Sequence, residues 1–328
     1  MTSRILVLVI ASDFPAHYVE MQTVWRESVK RQCSQRFACT TRIENAQRFD
    51  VWFVKAKPER LWIGDIVNDG PLSDIVEFDR EAMTIFVKGE ETYIPGILNK
   101  TIEAIRACHL TADIRACRFA DIRACCERAL GGSFDYIWRT NLSSVLDYQG
   151  LLDYVDKMES SYAGGESLCS YGGESLCSYG GESLCSYGGE SLCSYGGESL
   201  CSYGGGKVES SSLCSYAGYV GTSVDGYKFA SGAGFLMSRV VVDYLVDNER
   251  LLMRDVIDDV AIGKLLEPRF GLVHIDRCWV DDGSFVNDSS HINCSSNIFH
   301  FRCETYKHER TVEFMNAALQ YICERRSK

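Results

Sequence analysis

The sequence contains no Asp-x-Asp. It therefore lacks the Asp-x-Asp carboxylate pair that can clamp a hard divalent cation at a turn. It contains no Cys-x-x-Cys, which argues against a zinc site. Neither Gly-x-x-x-x-Gly-Lys nor Gly-x-Gly-x-x-Gly follows a strand, so the usual phosphate loops are missing. Long apolar runs are missing too. The most apolar early stretch, "ILVLVIA", covers only residues 5–11. That is too short to span a bilayer, and it has no secretory cleavage pattern. Positive charge is in deficit: 34 Lys and Arg against 45 Asp and Glu give a net charge of −11. An acidic chain repels phosphate backbones, which argues against nucleic acid as a partner. A small anionic ligand stays open wherever a local cation can meet it. No transmembrane segment and a cytoplasmic location are expected.

What is present is an ordinary globular composition, 46% hydrophobic and 24% charged over 328 residues. That length suits one large α/β domain or two small ones. The 16 cysteines fall mostly inside repeats, which suggests mainly free thiols in a reducing compartment. Strand-like and helix-like segments alternate. "RILVLVIAS" (4–12) reads as a strand buried on both faces, and "YVEMQTVWRESVKR" (18–31) as a helix. Strands follow at 49–56 and 83–89, then a helix from 94 that continues toward 130. A strand is expected at 134–138, a helix at 148–158 and a strand at 227–238. Helices at 239–252, 257–267 and 308–326 and late strands at 271–276 and 297–303 complete the pattern. This alternation points to a three-layer α/β/α sandwich.

Two repetitions interrupt it. "IRAC" begins at 105, 114 and 122, and "GGESLCSY" runs in tandem from Gly164 to Tyr203 with a degenerate copy ending at Tyr216. Gly- and Ser-rich repeats supply little apolar surface to offset ordering entropy, so a weakly ordered insertion is expected, with a regular β-rich unit as the alternative. The resulting division is 1–160, an insertion at 161–216, and 217–328, with the first and last parts forming one domain.

Three constellations carry chemistry. The turn after strand 134–138 reads Arg139, Thr140, Asn141, Leu142, Ser143, Ser144. In α/β proteins, ligands bind at the carboxyl ends of strands. "SGAG" at Ser231–Gly234 lets either a ligand or a neighbouring strand approach the backbone closely. "DDVAIG" places Asp258 and Asp259 at a helix start, where they either cap the helix or act as a general base. In "FHFRC", His300 is a candidate metal ligand or a structural residue, and Arg302 is set on the face opposite His300.

Taken in order, "ETYIPGILNKTIEAI" (91–105), "FDYIWRTNLSS" (134–144), "FASGAGFLMSRVVVDYL" (229–245) and "IDDVAIGKLL" (257–266) resemble the β-1,3-glycosyltransferases of the fringe and galactosyltransferase family, glycosyltransferase family 31. The resemblance covers about 90–110 and 134–305, without the insertion. It implies a Rossmann-like GT-A fold and an inverting transfer from a nucleotide sugar, UDP-linked by expectation, to a glycan or protein hydroxyl. It implies Asp259 as base with Asp258 beside it. Ser12, Asp13, Arg139, Thr140, Asn141, Ser143, Ser144, Gly232, Ala233 and Gly234 would contact the donor. The family's Lys-Thr-Asp-Asp-Asp is here Arg139-Thr140-Asn141-Leu142-Ser143, and Tyr18 and Gln22 stand where the family tends to carry Arg. Asn141, Ser143 and His300 would be left to hold Mn²⁺ or Mg²⁺ weakly, or else Arg139 or another cation would neutralise the diphosphate without metal. The alternative to an enzyme is a non-catalytic GT-A-fold sugar or nucleotide binder that has lost the metal clamp.

Overall fold

The computed structural model describes residues 3–34, 48–57, 76–79, 81–112, 134–163, 215–280, 297–303 and 310–327, with four short strand pieces between 166 and 194. The protein is a mixed α/β structure built on one large sheet. Strands β1 (Ile5–Ile10), β2 (Phe49–Lys57), β3 (Val76–Asp79), β4 (Thr84–Lys88) and β5 (Tyr136–Asn141) precede the repeats. Strands β7 (Tyr216–Thr222), β8 (Lys228–Ser238) and β9 (Val273–His274) follow them. Their order across the sheet is β9-β7-β8-β5-β1-β2-β4-β3. Strands β5, β1, β2 and β4 run parallel, while β8 pairs antiparallel with β5 and β3 antiparallel with β4. A second sheet of three strands joins β10 (Cys278–Val280), β11 (His300–Cys303) and β6 (Ser144–Leu146), in that order.

Burial explains why β1 is apolar throughout. Ile5, Val7 and Val9 point into one core and Leu6, Leu8 and Ile10 into the other. The first core packs helices α1 (His17–Ser34), α3 (Tyr148–Ala163) and α6 (Thr311–Ser327), through Trp25, Leu151 and Phe314. The second packs α2 (Gly96–Ala112), α4 (Arg239–Asp247) and α5 (Asp258–Phe270), through Ile102, Val241 and Ile262. A strand covered on both faces is what a central parallel strand requires.

Several expectations need correction. The segment after Trp138 continues as strand through Asn141, so the turn is only Leu142 and Ser143. Trp25 Nε1 donates to the carbonyl of Leu142 at 2.9 Å in a buried contact, fixing that turn to α1. Strands β3, β6, β7 and β10 were not read from the sequence. The helix read over 239–252 stops at Asp247 and continues as one 3₁₀ turn, Glu249–Leu251. His300 and Arg302 share one face of β11, because side chains two apart along a strand point the same way. Phe299, Phe301 and Cys303 fill the core on the other face. Cys303 and Cys323 are free thiols, but Cys278 is disulfide-bonded.

Within the repeats, Leu184–Ser186 pairs antiparallel with Leu192–Ser194, and Glu166–Ser167 with Cys177–Ser178. Both pairings join neighbouring copies of the eight-residue unit. The later "IRAC" copies, and the helix expected beyond 112, lie outside the described residues. No helix among the described residues is long and apolar enough to cross a membrane.

Candidate functional site

The parallel register places the carboxyl ends of three strands together, with Ile10 opposite both Val54 and Asn141. Strand β8 runs the other way, pairing Gly234 with Thr140, so its residues 231–233 extend past that same edge. The first turn of α5 completes the wall. These elements enclose an open cavity of about 800 Å³. Of the sequence-predicted residues, Ser12, Asp13, Arg139, Asn141, Ser143, Gly232, Ala233, Asp258 and Asp259 line it. Thr140, Ser144, Gly234 and His300 do not.

Those four build the wall instead. Thr140 Oγ1 donates to the Ala233 carbonyl at 2.5 Å and Ser144 Oγ to the same oxygen at 3.0 Å. His300 Nε2 lies 3.3 Å from Ser144 Oγ, and its ring stacks edge-on against Trp138. A Cβ on Gly234 would fall 2.6 Å from Trp138 and 2.9 Å from His300. Glycine is therefore required there by the approach of protein groups, not of a ligand. Burial, then the charges of Arg277 and Arg302, lower the His300 pKa to about 3, so its imidazole is neutral at physiological pH.

The acidic pair divides its work. The structural N-cap of α5 is Ile257, so neither aspartate caps the helix through the cap position. Asp258 is buried and ion-paired with the Arg139 guanidinium, which also donates to the Gly232 carbonyl. Arg139, expected to face a diphosphate, is thus committed inside the protein and only 2% exposed. Asp259 turns toward the cavity. Its Oδ2 accepts from the Gly232 amide at 2.8 Å and its Oδ1 from the Val260 amide at 2.9 Å. Burial, then the neighbouring Asp258 charge, raise its pKa above the usual aspartate value, against the pull of those amides and Arg139.

On the opposite side, Ser12 Oγ is used within its own turn, bonding with Phe14. Asp13 accepts from Lys55 Nζ at 2.6 Å and from Gln22 at 3.1 Å. Burial alone would raise the Asp13 pKa, but these partners win and hold it low. Gln22 also donates to the Ser12 carbonyl at 2.9 Å, so it braces the loop that follows β1.

The lining residues that sequence reasoning did not assign to the site include Lys55, Glu91, Lys100, Arg277 and Trp279. Lys100 is buried and donates to Glu91 at 2.5 Å and to the Ala11 carbonyl at 2.7 Å. Its pKa is lowered, first by burial. Lys55, near the carboxyl end of β2, was legible from strand position alone. Arg277 stacks 3.8 Å from the Tyr219 ring and 4.3 Å from the Trp279 ring. That stack needs three residues from two chain segments, which no local pattern reveals.

The residues present do not fit a divalent cation. Asn141 Oδ1 and Ser143 Oγ both accept from Arg302 Nη1, at 2.5 and 2.6 Å. Hard cations favour carboxylate oxygens, and neither side chain is one. The expected third ligand, His300, is buried against Trp138 and Ser144. Among the described residues, no group of three His, Cys, Asp or Glu side chains is placed to hold a metal.

No family model and no curated protein matches the chain.

Proposed function

We propose that the protein is an inverting glycosyltransferase of the GT-A type, taking its sugar from a nucleoside-diphosphate donor and passing it to an acceptor hydroxyl. The observation that carries this reading is Asp259: a carboxylate with a raised pKa, fixed by two backbone amides, facing a polar cavity at the carboxyl edge of a parallel sheet. A carboxylate held there, with its basicity raised, suits removal of a hydroxyl proton. In the reaction, Asp259 takes the acceptor proton as that oxygen attacks the anomeric carbon. The bond from that carbon to the diphosphate breaks, and the nucleoside diphosphate leaves with the electron pair. One displacement inverts the anomeric centre. The exposed rings of Phe14 and Tyr93 flank the β1 side and suit a nucleobase, while the half-exposed Trp279 suits an acceptor sugar face.

A non-catalytic donor-binding protein is the second reading, favoured by the guanidinium resting on Asn141 and Ser143. Thermal melting with a panel of nucleotide sugars tests binding first. A true donor at a hundred times its Kd should stabilise the native state by about 2.7 kcal/mol. If no nucleotide sugar or nucleoside diphosphate shifts the melt, the cavity is not a donor site and both readings fall.

A further inference from the structure

One ion pair on the cavity wall keeps hydrogen-bonding capacity on both partners. Lys100, on α2, and Glu91, on the segment that leads into that helix, both line the cavity. Glu91 Oε1 accepts from the Ala56 amide near the end of β2 at 2.7 Å, and Glu91 Oε2 accepts from Lys100 Nζ at 2.5 Å. The ammonium also donates to the Ala11 carbonyl, just past β1, at 2.7 Å. Both groups are thereby fixed to the carboxyl edge of the sheet. An ammonium has more donors, and a carboxylate more acceptor positions, than these contacts among the described residues use. The Lys100 side chain is 4% exposed and that of Glu91 32%. Opposite charges cancel within the pair, so it has little net attraction for a diphosphate. What it offers is a donor and an acceptor side by side. That arrangement suits two adjacent ring hydroxyls, one accepting from the ammonium and the other donating to the carboxylate. The charges of Arg139 and Asp258 also act on Lys100, so the pair stands close to the first turn of α5, where Asp259 lines the cavity.

We propose that Glu91 and Lys100 form a specificity-determining seat for two adjacent hydroxyls of the donor sugar. This rests on the donor-site reading above, and the probes are chosen to separate the two. UDP, GDP, UDP-glucose, UDP-galactose, UDP-N-acetylglucosamine and GDP-mannose are titrated calorimetrically into the full chain, followed by the single-deoxy forms of the best binder. We expect one sugar nucleotide to bind about tenfold or more tightly than its nucleoside diphosphate. Removal of either of two adjacent hydroxyls should erase that gain. Glu91→Gln and Lys100→Met should each close most of the gap between the sugar nucleotide and the nucleoside diphosphate. A change that only loosened the cavity would weaken both ligands together, so the ratio of the two affinities is the readout. The wild-type deoxy series tests the seat even where a variant fails to fold. Sugar nucleotides that bind no better than their nucleoside diphosphate, equal binding by all the single-deoxy forms, or an unchanged ratio in folded variants of both residues overturns the seat and leaves the donor site standing. No binding of any of these nucleotides or nucleotide sugars overturns the donor reading, and the seat with it.

Discussion

Asp259→Asn is expected to lower sugar transfer by about 10²–10⁴-fold while leaving the fold intact. The loss follows from chemistry at one atom. A carboxylate takes the acceptor proton, and a carboxamide does not. Folding should survive because the amide oxygen still accepts one of the two backbone N–H groups now bound by Asp259, from Gly232 and Val260. The other N–H meets an NH₂, which costs about 1–3 kcal/mol. The same site fixes a pH dependence. Activity needs the ionised form, and burial followed by the Asp258 charge raises the pKa of Asp259 above its ordinary 3.8. Turnover should therefore fall with acidity at a higher pH than an ordinary aspartate would give. For stability the sign is opposite. A raised folded-state pKa contributes stability below the unfolded value, and this is lost as pH rises through the folded one. Rate–pH profiles and denaturant melts across that window check both. Transfer by Asp259→Asn near the wild-type rate would remove it from the mechanism.

Arg139→Met is expected to destabilise the protein by about 3–5 kcal/mol, the cost of leaving one partner of a buried ion pair alone. Its side chain is 3% exposed and that of Asp258 9%. The substitution strands the Asp258 carboxylate and also frees the Gly232 carbonyl, which Arg139 holds. Activity should fall with stability, because the same guanidinium ties β5 to β8 and to the first turn of α5, where Asp259 sits. The double variant Arg139→Met/Asp258→Leu removes both charges and should recover much of the stability but not the activity. A double-mutant cycle in denaturant measures the coupling. Additive losses would mean that the pair does not bracket the site.

The sequence showed most of the sheet because β1 and β2 are apolar enough to be read without tertiary information. It also named nine of the residues that line the cavity, since strand ends and helix starts converge at one edge of such a sheet. Its failures were tertiary. Arg139 and Thr140 look like turn residues, yet they lie inside β5, because their polar atoms find Gly232 and Ala233 on the neighbouring strand. Gly234 reads as a ligand contact, but the space beside it belongs to Trp138 and His300. Arg302 was assigned to the wrong face of its strand, which hid its contact with Asn141. Lys100 and Glu91 meet across nine residues and a helix start, and the sequence motif around them gave no hint of that pairing.

The most direct test is release of nucleoside diphosphate by the wild-type protein from a panel of nucleotide sugars, with and without a pooled set of glycan and peptide acceptors. We expect one donor to give release that rises with acceptor and drops to background in Asp259→Asn. A donor that binds tightly, as seen by melting, but yields no acceptor-dependent release would contradict catalysis and leave a binding protein in its place.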